Sequence, residues 1–225
     1  MEPRAKPDSD SLHFSSPVRR TILWAECLAL FFVIPPGLYF FRQALAFKVV
    51  PLVLVWAGLC AWWLTRQPGF SWRGPSLKRP LPGVLLTFLA GAIPLTTLAY
   101  LYLPERFLAF PAEKPGLWGL VMLLYPLLAA WPQEIIYRAF FFRRYAPLFP
   151  RPGAMIAASA LAFGLAHALY GNWVSPLLSA LGGAVFAWRF QRHGSLAAAS
   201  LEHGLWGDFL FTSGLGWFFY SGAIA

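Results

Sequence analysis

The stretch Trp131–Phe142, WPQEIIYRAFFF, decides the fold, because it sets Glu134 and Arg138 four residues apart inside an otherwise apolar run that follows a proline. Residues at that spacing share one helix face and can pair. In hydrocarbon each such group costs roughly 3 kcal/mol or more, so it faces a bundle interior or a wet cavity. Pro132 cannot donate the hydrogen bond that residue 128 would accept, and its ring disturbs the preceding turn, so the helix bends there. Gln133 is turned about 100° away from Glu134 by helical geometry.

Composition generalises this reading. Of the 225 residues, 58% are hydrophobic and only 12% charged, against roughly 25% charged in a soluble domain. The solvent is a bilayer. A net charge of +9 could suggest nucleic acid, but the Lys and Arg stand in short clusters between apolar runs rather than on one domain face, so nucleic-acid binding is not expected. Cys27 and Cys60 lie in separate apolar segments and read as small buried hydrophobes.

Residues 1–20 are polar and proline-containing, the composition of a disordered cytoplasmic tail, and no small-residue cleavage site follows, so the first apolar run reads as a retained span. Apolar runs long enough to cross the hydrocarbon occur near 21–41, 45–64, 81–103, 117–141, 154–170, 174–188 and 196–220. The expected fold is therefore an all-α polytopic membrane protein, a bundle of about seven transmembrane helices over 21–225. With the N-terminus cytoplasmic, the outer loops hold only Arg42, Lys48, Arg106 and Lys114. Arg138 lies within a span, and the other thirteen of the eighteen basic residues, Arg144 and Arg189 among them, fall inside. That asymmetry is the one cytoplasmic retention of positive charge produces. Small residues recur every fourth position at Ala154, Ala158, Ala162 and Ala166, and again at Ser175, Ser179, Gly183 and Ala187. Such ridges let membrane helices approach closely.

Once the loops are set aside, Glu26, Gln133, Glu134, Arg138, His167, Asn172, Glu202, His203 and Asp208 remain in or at the edges of spans. A single histidine on an apolar helix is commonly a packing residue. Two, His167 and His203, on separate spans with the carboxylate of Glu134 on a third, are the groups that water activation needs.

The runs QEIIYR (133–138), FGLAH (163–167) and EHGLWGD (202–208), in that order on three late spans, resemble the CAAX protease and bacteriocin-processing family of intramembrane endopeptidases. The family pattern is Glu-Glu-x-x-x-Arg, Phe-x-x-x-His and His-x-x-x-Asn/Asp, and the likeness covers about residues 117–212. It implies hydrolysis of a peptide bond in a membrane-associated or membrane-delivered protein or peptide, with the first Glu and first His activating water and the second His and the Asn stabilising the oxyanion. By resemblance Glu134, Arg138, His167 and His203 are the catalytic set. Gln133 stands where the first Glu belongs, and Gly207 where the Asn or Asp belongs, with Asp208 one residue late. A neutral amide cannot take a proton from water, so the base must lie elsewhere. Glu134, Glu202, Asp208 and His167 are the candidates, and Glu134 with His167 is favoured. Gln133 can still donate to an oxyanion. No cofactor is expected, although Glu134, His167 and His203 make up a two-His, one-carboxylate set of the kind that holds zinc. The expected setting is a bacterial cytoplasmic membrane. The competing reading, which Gln133 favours, is a catalytically degenerate relative serving as a scaffold or chaperone; a small transporter is disfavoured by the lack of matching broken helices in two halves.

Overall fold

The computed structural model describes residues 17–45 and 48–219. The described residues form helices joined by turns and short loops, with no strand. Helix α1 runs Pro17–Leu45, α2 Val49–Thr65, α3 Leu81–Tyr102, α4 Pro115–Arg144 and α5 Pro152–Tyr170, followed by α6 Val174–His193 and α7 Leu196–Ser213. Helices α1, α3, α4 and α5 are long and apolar enough to cross a membrane, and α2 is apolar but shorter. Of the expected polar tail, residues 1–16 lie outside the described residues, whereas 17–20 already form the first turn of α1. The seventh run ends earlier than expected. Gly214, at φ +91°, terminates α7, and Leu215–Phe219 forms a separate 3₁₀ turn.

Leu86, Leu89, Ile93, Leu123 and Leu127, on α3 and the first half of α4, are more than half exposed. Leucine on the outside of a bundle is the natural partner of acyl chains. The protein core is instead built by α1, α2, α4 and α5 around Phe31, whose ring meets Trp56, Tyr137, Phe140, Phe141 and Tyr145 at centroid distances of 4.9–6.3 Å. Cys27 and Cys60 are free and buried in this cluster.

The two small-residue ridges do different things. On α6, Ser175, Ser179, Gly183 and Ala187 are all buried, as a close-packed face requires. On α5 the alanines do not form the mating surface: Ala154 is exposed, while Ala158, Ala162 and Ala166 belong to the core around Phe31. The close approach to α6 falls at Gly164, where an added Cβ would come within 2.8 Å of Ala180 Cβ and of the Pro176 carbonyl.

Helix α4 carries the irregularity that the prolines imply. Its segments Pro126–Ala130 and Ile135–Phe140 are π-helical turns on either side of Trp131–Glu134. Pro126 and Pro132 lack the amide hydrogen of a regular ladder, and wide turns of this kind absorb such a defect and recur at functional sites.

Candidate active site

Glu134, on α4, is fully buried, as is Arg138 one turn on. The Arg138 Nε lies 3.0 Å from Glu134 Oε2, an ion pair whose N–H is not aimed along the bond. A second nitrogen, Nη2, donates to the carbonyl of Gly183 at 3.3 Å. The guanidinium also sits over Phe163, 4.9 Å from the ring centroid, and 5.7 Å from that of Phe186. Stacking and a carbonyl acceptor thus hold the cation where a hydrated ammonium would not sit.

The other carboxylate oxygen reaches across the bundle to α7. His203 Nδ1 lies 2.9 Å from Glu134 Oε1. A carboxylate only accepts, so Nδ1 carries a hydrogen, and in the neutral imidazole Nε2 is then left with its lone pair. Tyr125 on α4 donates its hydroxyl to that nitrogen at 3.1 Å. The ring is clamped between Phe186, nearly parallel at 4.9 Å, and the edge of Phe163 at 5.3 Å.

His167 stands at the end of the regular part of α5, where the helix tightens into a 3₁₀ turn. Its Nδ1 lies 2.8 Å from the carbonyl of Phe163. A carbonyl can only accept, which places the proton on Nδ1 and leaves Nε2 as a bare lone pair. By rise per residue alone, His167 would stand about 10 Å deeper than His203. The Phe163 ring bridges that gap, since its centroid is 4.7 Å from the His167 ring and 5.3 Å from that of His203. Arg138, His203 and His167 therefore surround one phenylalanine, and Glu134 pairs with the first two.

The remaining sequence candidates lie apart from this group or stand beside it without a bond. Glu202 accepts two hydrogen bonds from Arg189, from Nε at 2.8 Å and Nη2 at 2.9 Å, and another from the Thr87 hydroxyl of α3. Both members are buried, so Arg189 is a bundle residue rather than the loop cation its position suggests. Asp208 has one oxygen buried without a partner, as does the side-chain carbonyl of Gln133. Asn172 is architectural: it accepts from the Ser175 amide at 2.9 Å and donates to the Phe218 carbonyl at 2.9 Å. Glu26 pairs with Arg144 at 2.6 Å and accepts from Tyr145 at 3.0 Å, which ties α1 to the end of α4. Among the described residues no group of three His, Cys, Asp or Glu side chains is disposed to hold a metal ion.

Against known proteins, the family model "Type II CAAX prenyl endopeptidase Rce1-like" matches residues 115–210. Residues 115–210 are thus similar to this family. No curated protein and no solved structure matches the chain. The Rce1-like segment opens with α4 and closes three residues before the end of α7, so it contains every group just described around Phe163 and agrees with the likeness of the three motifs. Tyr125 and Phe186 fall within it but in none of those motifs. Four helices long and apolar enough to cross a membrane make the chain an integral membrane protein.

Proposed function

We propose that the protein is an intramembrane endopeptidase of the CAAX type, acting on the C-terminal region of a membrane-associated protein or peptide. The observation that carries this reading is the hydrogen bond between Glu134 Oε1 and His203 Nδ1. It joins two helices through a buried, charged contact beside a second imidazole, and buried polar groups of this sort are costly unless they serve a site. Both oxygens of Glu134 face a cation or an imidazole, so its part is to hold His203. The bare Nε2 of His167 is the base that remains. Water gives a proton to that nitrogen while its oxygen bonds to the scissile carbon, and the carbonyl π pair moves to oxygen. His203, fixed by the Glu134 carboxylate, orders the hydrogen bonds that lower the energy of the resulting oxyanion. His167 then returns the proton to the amide nitrogen as the C–N bond breaks.

One observation favours the non-catalytic alternative: with Gln133 in place of a carboxylate and Glu134 engaged on both oxygens, the QEIIYR segment supplies no free carboxylate base. The two readings separate in one experiment. Purified protein in nanodiscs is offered a panel of prenylated peptides ending in a CAAX sequence, beside the His167→Ala and Gln133→Glu variants. The enzyme reading expects cleavage by the native chain and none by His167→Ala. A scaffold shows no cleavage in either, at unchanged folding and abundance.

A further inference from the structure

The Tyr125 hydroxyl sits at the end of a chain of hydrogen bonds that runs from the Glu134 carboxylate through both nitrogens of His203. Its ring lies against Gly207, one turn along α7 from His203. An added Cβ there would overlap three Tyr125 ring and hydroxyl atoms. Tyr125 and a side chain at position 207 therefore exclude one another. The glycine is what admits the phenol. The same face of α7 offers a second close approach at Gly204, where a Cβ would come 3.2 Å from Pro126 Cβ. Two glycines thus seat the Tyr125–Pro126 corner of α4 on α7.

His203 as the structure holds it has no N–H to offer a substrate. Nδ1–H points to Glu134, and Nε2 receives the phenol. The Tyr125 hydroxyl is the donor at this end of the site, and a hydroxyl rotates to suit its acceptor. We propose that Tyr125 is a catalytic residue, donating its O–H to the scissile carbonyl oxygen in the role that a side chain at position 207 would otherwise fill. As the carbonyl carbon is attacked and negative charge gathers on its oxygen, the phenol turns from His203 Nε2 to that oxygen. The proton stays on Tyr125, and no bond other than those of the hydrolysis is made or broken. Glu134 and Arg138 are then positioning residues, fixing the imidazole that orients the phenol.

This inference rests on the endopeptidase reading, and the test separates the two. In nanodiscs, with the prenylated peptide that the native chain cleaves, Tyr125→Phe keeps the ring against Gly207 and loses only the hydroxyl. Its kcat is expected to fall about 100-fold, the usual effect of losing one oxyanion donor, with KM and thermal midpoint unchanged. A merely structural tyrosine would move the midpoint and leave kcat alone. In a second arm, Tyr125→Ala vacates the space and Tyr125→Ala/Gly207→Asn refills it with an amide donor from α7, which is expected to recover at least about tenfold of the loss. Wild-type kcat in Tyr125→Phe, with His167→Ala inactive, overturns the assignment of Tyr125 and leaves the endopeptidase standing. A native chain that cleaves none of the panel overturns both.

Discussion

Arg189→Met is the most informative single perturbation of the architecture. Arg189 and Glu202 have side chains 2% and 0% exposed, and they meet through two hydrogen bonds of 2.8 and 2.9 Å. Removing the guanidinium leaves a carboxylate in the bundle with only the Thr87 hydroxyl to face. Breaking a buried pair from one side costs about 3–5 kcal/mol, because the stranded charge keeps its desolvation penalty and loses its compensation. For a chain of this size that corresponds to a fall in thermal midpoint of roughly 6–20 °C. Replacing both partners with neutral groups of similar volume removes the stranded charge, so Arg189→Met/Glu202→Gln should return most of the loss. The assay is size-exclusion fluorescence after heating in detergent, run beside peptide cleavage. The double variant is expected to cleave at close to the native rate, since Glu202 serves the bundle and not the reaction. Two results would refute this reasoning: an Arg189→Met midpoint equal to that of the native chain, or a stable double variant that no longer cleaves.

Other perturbations have equally definite outcomes. His167→Ala should lower cleavage by about 10²–10⁴-fold, the range for a lost general base, without reducing membrane abundance. Gln133→Glu supplies the carboxylate that the site lacks and should raise the rate by about tenfold or more; no gain would mean that position 133 does not face the water. Cleavage should fall at acid pH as the base nitrogen of His167 takes up a proton, and a rate independent of pH over the whole range in which the protein stays folded would exclude an ionisable base. Glu26→Gln, at a pair whose side chains are 25% and 28% exposed, should cost about 1 kcal/mol or less, read in the same melting assay.

Much of this arrangement was legible in the sequence, for reasons that can be stated. Helix positions followed from runs of apolar residues, and the pairing of Glu134 with Arg138 followed from their spacing. What spacing cannot give is the partner on another helix. Glu202 and Asp208 stood beside the favoured Glu134 as alternative bases, yet Arg189 engages Glu202 from α6. Arg189 itself was counted with the loops because it stands four residues before the end of α6 beside Arg192 and His193. Tyr125 was hidden for a geometric reason. Nine residues of regular helix turn it by about 180° relative to Glu134, to the opposite face. The wide turn over Pro126–Ala130 rotates less per residue and brings the hydroxyl back toward His203. Pro132 was a visible signal of an irregular helix, but not of the angle it would take.

The alanine ridge of α5 teaches the same lesson about small residues. Regular spacing identified a face that packs closely, but Ala158, Ala162 and Ala166 pack on the core around Phe31, while Gly164 meets α6. A small residue marks contact without naming its neighbour.

The central claim is that His167 and His203, gathered with Glu134 around Phe163, hydrolyse a peptide bond. It is tested most directly by incubating the native protein and His167→Ala in nanodiscs with a prenylated CAAX peptide in ¹⁸O-water and weighing the products. The expected result is a shortened peptide carrying one ¹⁸O in its new carboxylate from the native chain, and intact peptide from the variant. Equal cleavage by both, or intact peptide from a folded native chain, would contradict it.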